Sequence, residues 1–376
     1  MKKVIFIAGE PSGDAIAYRL MKKLQTQEIS FSGIGGSKMK SLGFQSIFHI
    51  KDISVIGFVE ILKHLPKILI RIYQTIEHIN ETKPDLIVTF DSPGFCVAVV
   101  KKLRKQGYKG KIIHVVAPTV WAYKPKRAAK FAKIFDEICC LFPFEPVYFE
   151  KEGLKAHFIG NISIEDELAN LPKATEEVPT IKTIAITLGS REAEVKKYIP
   201  MISYAIEIFE IDKRDYQFIL PTLPHLHRFI EKYFKTNNPN AKITIISHTN
   251  AIYEAVEKCD IAICKSGTNT LQFISKLRPV IVYYSINWLS YIIMSKIVSI
   301  KFFNLINIMA GKMIIPELIQ DNCSVINITY QVRKIIEKNS FLELQSETLE
   351  QLEKMKLPNE MPSEKLASII LNSLKS

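Results

Sequence analysis

The sequence predicts an α/β fold of two Rossmann-like domains that face each other across a cleft. The chain opens with a short β-branched strand at residues 4–8, which runs through a glycine turn at 9–14 into a helical pattern. A polar stretch framed by prolines, 170–180, separates this half from a second half that restarts the same alternation at Thr183. The length of 376 residues also exceeds what one core usually supports, so two domains are expected.

The opening turn combines two glycines with two carboxylates. Backbone N–H groups at a helix start could hold a phosphate, a sugar hydroxyl, or only the turn itself. Because Glu10 and Asp14 would repel a phosphate, we expect contact with sugar hydroxyl or amine groups, with Gly9 and Ser12 as further substrate contacts. Many α/β proteins open in this way without a ligand, so the turn alone does not establish a site.

Two later strand ends of the first half carry further candidates. Asp91 follows the predicted strand 85–90, at the sheet edge where ligands bind in open α/β folds, although Asp beside Pro and Gly is also a common turn residue or helix cap. The loop after strand 111–116 contains Trp121, whose ring could stack on a sugar or fill a hydrophobic gap between domains. Arg127 follows it and could bind an anion.

The second half offers two small-residue turns that each enter a helix. Their residues are Gly189, Ser190 and Arg191 in one turn and Ser266, Gly267 and Thr268 in the other. Together they predict a cradle for a diphosphate, with Arg191 neutralising its charge. Neither turn is a Walker loop or a GxGxxG fingerprint, which argues against ATP and dinucleotide chemistry.

The composition favours a cytoplasmic protein with anionic partners. Fifty Lys and Arg against thirty-eight Asp and Glu give a net charge of +12, which attracts nucleotides, anionic lipid or polyanions, or is ordinary surface charge. No basic motif of a nucleic-acid-binding module is present, so no nucleic acid partner is expected. The six cysteines show no CxxC pairing, so neither disulfides nor a zinc site is predicted.

Two apolar stretches with basic residues could contact a membrane. Residues 53–79 predict a helix broken near Pro66, and both a core-packed helix and an interfacial helix fit its pattern. Residues 280–300 are almost continuously apolar, but polar interruptions and an initial strand favour surface docking over a membrane span. We expect 53–79 and 288–303 to form an apolar, basic-rimmed patch that receives acyl chains.

Several short motifs, taken in order, resemble one enzyme family. They are AGEPSGD at 8–14, GIGG at 33–36, VIGFVE at 55–60, PTVWAY at 118–123, FPFE at 142–145, GSR at 189–191, SGT at 266–268, and NIMAG at 307–311 followed by PEL at 316–318. The sequence resembles lipid-A-disaccharide synthases, GT-B glycosyltransferases, over nearly its whole length. The resemblance implies transfer of 2,3-diacylglucosamine from its UDP derivative to 2,3-diacylglucosamine 1-phosphate, giving the β-1,6 disaccharide and UDP.

This reaction implies roles for the candidate residues. Direct displacement at the anomeric carbon needs a base for the acceptor hydroxyl, which we expect to be Asp91, with Glu10 orienting a sugar or assisting it. Arg191 and the turn at 266–268 should stabilise the departing UDP. Because no DxD-type carboxylate pair is present, no metal and no cofactor are expected. Asn307, which opens a family motif, is assigned to the substrate.

Some positions depart from the family pattern. Gly94 stands where a second acid is usual, and Cys96 stands where Asn is usual. Gln272 replaces a Glu of the kind that binds ribose hydroxyls, which should weaken donor binding without abolishing it. These departures leave a lipid-binding scaffold without turnover as an alternative, and a UDP-N-acetylglucosamine 2-epimerase would share the fold and the kind of donor.

The predicted organisation is an acceptor-binding domain at 1–169, a linker at 170–180, a UDP-sugar-binding domain at 181–340 and a helical tail at 341–376. The expected location is the cytoplasm, peripheral on the inner face of the inner membrane, with its surface lipids as partners. The sequence leaves the oligomeric state open, a homodimer being one option.

Overall fold

A computed structural model describes residues 1–54, 58–212, 215–267, 269–288, 291 and 301–375. The chain divides into two compact units. The first comprises residues 1–165 and 355–375, and the second comprises the described residues from 166 to 354. The predicted tail 341–376 is therefore divided between both units, while 171–180 has no helix or strand.

The first unit is built on a parallel sheet whose strands alternate with helices. The strands are Lys2–Ala8 (β1), Ile29–Ile34 (β2), Leu86–Phe90 (β3), Lys111–Val115 (β4), Glu137–Cys140 (β5) and Lys155–Phe158 (β6). Their order in the sheet is β2-β1-β3-β4-β5-β6. Buried apolar side chains form a cluster on each face of this sheet, as expected when helices cover both faces.

The helices of the first unit pack on this sheet. They are Pro11–Leu24 (α1), Ser37–Lys40 (α2), Phe58–Thr82 (α3), Pro93–Lys105 (α4), Arg127–Ala132 (α5), Pro146–Glu150 (α6) and, at the boundary, Glu165–Ala169 (α7), with 3-10 turns at Ile50–Asp52 and Ile162–Ile164. The last helix of the chain also belongs to this unit: Leu366 and Ile370 are fully buried in the same cluster as Leu20 and Leu24.

The predicted break near Pro66 is wrong, because α3 continues through this proline. Pro66 lacks one backbone N–H, but ion pairs hold the following turn. Asp52 accepts from Lys67 Nζ at 2.6 Å and from Arg71 Nη2 at 2.5 Å. Further along, Ile72 and Ile76 are buried in the core. Packing and ion pairing thus stabilise the helix against the proline.

The second unit repeats the architecture. Its strands are Thr183–Thr187 (β7), Gln217–Pro221 (β8), Lys242–Ile246 (β9), Ile261–Lys265 (β10), Val280–Tyr284 (β11) and Glu317–Ile319 (β12). The sheet order is β12-β11-β10-β7-β8-β9, all parallel. The described helices of this unit are Glu192–Ile211 (α8), Pro224–Asn237 (α9), Ala251–Lys258 (α10), Asn269–Ser275 (α11), Leu305–Ala310 (α12), Val325–Ile336 (α13) and Lys338–Lys354 (α14). The helix after them, Pro362–Lys375 (α15), is the one that packs in the first unit.

Both sheets confirm the predicted α/β class of Rossmann-like units. In each, the direction in which strands are added reverses once, between β1 and β3 in the first sheet and between β7 and β10 in the second. Ligands of open parallel sheets bind at the carboxyl ends of the strands beside such a reversal. The fold therefore marks one candidate edge in each unit.

Parts of the predicted membrane patch cannot be placed. Residues 289–290 and 292–300, like residues 55–57 of the VIGFVE motif, lie outside the described residues. Within the described part of the chain, no helix is both long enough and apolar enough to cross a bilayer.

Candidate functional site

Two carboxylates lie at the reversal point of the first sheet. Ala8 at the end of β1 pairs with Phe90 at the end of β3, so the residues that follow both strands share one edge. These residues include Glu10 and Asp91. Glu10 is half-buried, and its pKa is raised by burial and, to a smaller extent, by the negative charge of Asp91. The two acids are therefore close enough to interact.

The Asp91 carboxylate is held by hydrogen bonds at both oxygens. Ser12 Oγ donates to Oδ2 at 2.6 Å, and the Ser92 N–H donates to Oδ1 at 2.8 Å. Asp91 and Ser92 both have left-handed backbone conformations, with φ of 49° and 44°, and such strain is common at functional sites. The Cys96 thiol, at a position that departs from the family pattern, donates to the Asp91 carbonyl at 3.3 Å.

Glycine allows the two turns to approach each other. A Cβ atom built on Gly9 would lie 2.5 Å from the Ser92 side chain, and one on Gly13 would lie 2.8 Å from the Phe90 carbonyl oxygen. Any side chain at either position would push the turn after β1 away from the end of β3. Gly9 thus has a packing role at this edge, and its predicted substrate contact stays a prediction.

The structure gives Asp14 a structural role, and its predicted contact with substrate stays a prediction. Asp14 is 3% exposed, and its carboxylate accepts from the backbone N–H groups of Gly36 at 2.7 Å, Lys38 at 3.0 Å and Met39 at 3.1 Å. It therefore caps the start of α2 and fixes the GIGG motif. Both Asp14 and the glycine pair at 35–36 are visible in the sequence, but they are 22 residues apart, so no local pattern predicts their contact.

Trp121 lies in the loop after β4, and Arg127 begins the helix that follows this loop. The half-buried Trp121 donates from Nε1 to Glu145 Oε1 at 3.1 Å, and its ring contacts Phe144 edge-on at 5.3 Å. Burial raises the pKa of Glu145 to about 7, although three N–H donors oppose this shift. Arg127 is the first residue of α5 and is half-buried, which lowers its pKa. The FPFE motif thus orients the aromatic loop.

The two predicted turns of the second unit line one cavity of about 230 Å³. It lies at the reversal point between β7 and β10. Gly189 and Ser190 contribute from one turn, and Ser266 and Gly267 from the other. The remaining lining residues are Thr187, Pro221, Thr222, Leu223, His248, Thr249, Ala251, Ile252, Lys265 and Asn269. The Thr222 hydroxyl oxygen is buried and has no hydrogen-bond partner within the described residues, so a ligand could satisfy it.

A cluster of charged side chains includes Lys265, one of the lining residues of this cavity. Glu194 accepts from Lys265 Nζ at 2.9 Å, while Arg191 Nη1 is 3.7 Å away from the same carboxylate. Burial raises the pKa of Glu194, but the Lys265 hydrogen bond and both positive charges lower it overall. Gly189 has φ of 105°, and a Cβ there would lie 2.5 Å from Glu194 Oε2. Lys265 is thus committed to Glu194, whereas the Arg191 side chain is 61% exposed.

The structure does not place two predicted donor-binding residues of the second unit, Gln272 and Thr268, at this cavity. Gln272 is half-buried on α11 but is not among the lining residues of the cavity. Thr268 lies outside the described residues.

The assignment of Asn307 to substrate is wrong. Asn307 is fully buried. Its amide nitrogen donates to the Ile315 carbonyl and to Glu317 Oε1, both at 2.7 Å, and its oxygen accepts from the Ile314 and Ile315 N–H groups, both at 2.8 Å. With its hydrogen-bonding capacity used internally, Asn307 joins the NIMAG and PEL motifs and does not face a ligand.

Sequence reasoning missed the polar residues that complete the second-unit cavity. Lys265 ends β10 and could have been found because it precedes the predicted Ser266 turn. Thr222, His248 and Thr249 gave no such signal, since they lie in loops after β8 and β9 without a recognisable motif. Among the described residues, no group of three or more His, Cys, Asp or Glu side chains is arranged to hold a metal ion.

The family model for lipid-A-disaccharide synthetase matches residues 4–370. The chain belongs to the lipid-A-disaccharide synthetase family. It is 41% identical over 342 residues to the lipid-A-disaccharide synthase of Rickettsia prowazekii, with 89% of each chain covered. It is 38% identical over 380 residues to that of Rickettsia canadensis, covering 98% of this chain and 97% of the relative. The chain is thus a glycosyltransferase of lipid A biosynthesis, as the motifs predicted.

Solved structures of low sequence identity share the fold. A UDP-GlcNAc 2-epimerase from Neisseria meningitidis, bound to UDP-GlcNAc, matches with a TM-score of 0.61 at 14% identity and covers 99% of both chains. MurG from Acinetobacter baumannii matches with a TM-score of 0.60 at 14% identity, covering 99% of this chain and all of its own. At this identity the likeness concerns the fold alone, and it supports the GT-B assignment of the synthetase family.

Proposed function

We propose that the protein transfers 2,3-diacylglucosamine from its UDP derivative to the 6-hydroxyl of 2,3-diacylglucosamine 1-phosphate. The bond between the acceptor oxygen and the anomeric carbon forms as the bond from that carbon to the UDP oxygen breaks, and UDP leaves with the electron pair. The products are the β-1,6 disaccharide and UDP. The observation that carries the proposal is the interacting pair Glu10 and Asp91 at the reversal point of the first sheet, in a chain of this family.

Asp91 takes the proton of the attacking hydroxyl in this proposal. Ser12 and the Ser92 amide orient its carboxylate, which leaves further lone pairs for the acceptor. Glu10, whose pKa is raised, forms a hydrogen bond with the acceptor sugar, as acceptor when ionised or as donor when protonated. General-base catalysis of this kind typically contributes about 10² to 10⁴ in rate.

The cavity of the second unit binds the UDP part of the donor. We assign Ser190, Ser266 and the adjoining backbone N–H groups to the diphosphate, with the exposed guanidinium of Arg191 stabilising the negative charge that develops on the leaving group. The buried Thr222 hydroxyl gains a partner from the nucleotide. Turnover is expected to persist in EDTA, and activity that is lost in EDTA and restored by Mg²⁺ would contradict this assignment.

An exposed apolar face of α3 supports attachment to the inner membrane. Leu65, Leu69 and Tyr73 follow one another at i, i+4 spacing and are 44%, 44% and 57% exposed, with Ile70 beside them at 56%. Large exposed apolar residues beside basic ones are typical of interfacial helices. The protein is expected to bind anionic liposomes at low salt, and Ile70→Glu is expected to reduce this binding.

Sedimentation of the protein in neutral detergent would decide whether the protein acts as a homodimer.

The deciding experiment incubates the purified protein with UDP-diacylglucosamine and diacylglucosamine 1-phosphate, and measures both disaccharide and UDP. Formation of both in equal amounts is the expected result. Epimerised UDP-sugar without disaccharide would favour the epimerase alternative, and binding of the lipids without turnover would favour the scaffold.

The departures from the family pattern allow a direct control. A Cβ at the exposed Gly94 meets nothing within 4 Å, so an acid can be introduced there without a clash. If Gly94→Asp or Gln272→Glu gave activity to an otherwise inactive wild type, the scaffold alternative would be the correct one.

A further inference from the structure

We propose that a basic cavity beside the opening turn binds the phosphate monoester of the acceptor. The cavity has a volume of about 380 Å³ and lies in the first unit between the GIGG motif and the 3-10 turn at Ile50–Asp52. Lys40 and Lys51 are among its lining residues. This inference rests on the proposed function, which supplies an acceptor that carries a 1-phosphate.

The cavity lies next to the proposed base. Pro11, which follows Glu10 directly, is one of its lining residues. The segment that contains Lys51 also packs near the same turn, because a Cβ built on Gly9 would lie 3.8 Å from Ile53 Cδ1. In the acceptor, C1 carries the phosphate and C5 carries the 6-hydroxymethyl group, and both carbons adjoin the ring oxygen, so the phosphate and the 6-hydroxyl are neighbouring but separate groups. An acceptor whose hydroxyl meets Asp91 therefore needs an anion site displaced from the acids but adjoining them.

The lysines of the cavity are available for an anion. Lys40 and Lys51 are exposed, and neither forms an ion pair with another described residue. The Lys51 N–H donates to His49 Nδ1 at 3.2 Å, so the 3-10 turn itself positions the imidazole ring of His49 at the cavity. The hydroxyls of Ser37 and Ser54 add potential donors.

Two carboxylates near the cavity, besides the neighbouring pair Glu10 and Asp91, have other partners. Asp14 lines the cavity, but its oxygens accept from three backbone N–H groups and it is 3% exposed. Asp52 is paired with Lys67 and Arg71 on α3. The positive charges of Lys40 and Lys51 consequently exceed the one negative charge that lines the cavity, which favours a dianionic phosphate.

The charge pattern also separates donor from acceptor. The donor diphosphate has its own candidate site on the second unit, where Arg191 is exposed. Lysine ammonium groups bind phosphate as compact point charges, without the planar geometry that arginine imposes. The first-unit cavity thus gives the enzyme a means to select acceptors that keep the 1-phosphate.

The test compares two acceptors in neutral detergent micelles, where membrane charge plays no part. The double variant Lys40→Ala/Lys51→Ala should raise KM for diacylglucosamine 1-phosphate at least about tenfold, with kcat changed less than about threefold. With diacylglucosamine that lacks the phosphate, the variant and the wild type should have the same kcat/KM. Lys40→Arg/Lys51→Arg should restore most of the affinity.

A matched control removes two charges from elsewhere on the same unit. Lys101 and Lys105 are exposed on α4, and Lys101→Ala/Lys105→Ala should leave both acceptors unaffected. Equal losses with both acceptors, or equal losses in this control, would overturn the proposal.

Two further measurements separate the source of the phosphate and the underlying reaction. If Lys40→Ala/Lys51→Ala abolished binding to anionic vesicles but kept the micellar KM, the cavity would bind lipid headgroups and the proposal would be wrong. Calorimetric binding of diacylglucosamine 1-phosphate tests the cavity without turnover. Wild-type binding at least about tenfold tighter than the variant's, without disaccharide formation, would support the cavity and contradict the proposed reaction.

Discussion

Replacement of Asp91 by Asn tests the proposed base with little change in shape. The amide oxygen can accept from the Ser92 N–H as Oδ1 does, and the amide nitrogen can donate to Ser12 Oγ, which now acts as acceptor. Both hydrogen bonds are retained, so the free energy of unfolding should change little. What disappears is the ability to accept a proton.

The expected loss follows from the role. Without a general base, kcat should fall by about 10² to 10⁴, equivalent to roughly 3 to 5 kcal/mol of activation free energy. KM for both substrates should change little, because binding groups are unaltered. The negative charge that raises the pKa of Glu10 is also lost, so that pKa should fall toward its ordinary value.

The assay is initial-rate disaccharide formation over a range of pH, with a matched control at the other end of the same strand. Asp85 precedes β3 and accepts from the Lys3 N–H at 2.8 Å and from Lys2 Nζ at 3.0 Å. Asp85→Asn should leave kcat unchanged. An Asp91→Asn variant with kcat within about threefold of wild type would refute the assignment of the base.

Three other predictions follow from the structure. Asn307→Ala leaves several buried backbone groups without partners, so urea unfolding should show a loss of at least about 3 kcal/mol. In Trp288→Phe, which leaves Trp121 as the remaining tryptophan, fluorescence should titrate near pH 7, because Glu145, with its pKa of about 7, is protonated below that pH and ionised above it. Arg191→Ala should weaken UDP binding about 10-fold to 100-fold by calorimetry, because one charge-assisted contact is lost.

Each of these has a control. Asn240 is exposed in the same unit as Asn307, and its replacement by Ala should change stability by less than about 0.5 kcal/mol; an equal loss in both variants would contradict the role of Asn307. Adding Glu145→Gln should flatten the fluorescence titration, and a titration that survives would assign it to another group. Lys196 pairs with Glu192 on the exposed side of α8, so a similar UDP loss in Lys196→Ala would indicate general electrostatics.

The fold class could be predicted because it depends on local patterns. Apolar runs such as those of β1, β3, β7 and β10 indicate buried parallel strands wherever they occur. The observed bounds of β1, β3 and β4 differ from the predicted ones by only one or two residues. In a parallel sheet all strands run in the same direction, so the residue that follows each strand in the sequence lies at the carboxyl edge of the sheet. Glu10, Asp91 and the two second-unit turns were therefore found without coordinates.

The course of α3 could not be predicted in the same way. Pro66 is a helix breaker by local rules, yet distant contacts of Asp52 with Lys67 and Arg71 support the helix around it. The return of α15 to the first unit likewise depends on burial against α1, which is more than 300 residues away in the chain. Contacts at such separations leave no periodic signal.

Short runs of residues were enough to predict the α/β class, the family and the strand ends where chemistry can occur. Which polar residues remain available to a ligand depends instead on contacts between distant parts of the chain. Asp14 is saturated by backbone groups and Asn307 by backbone groups and the Glu317 side chain, whereas Lys40, Lys51 and Arg191 keep exposed charges. The physical reason is that a polar group binds a ligand only with the hydrogen-bonding capacity that the fold has left unused.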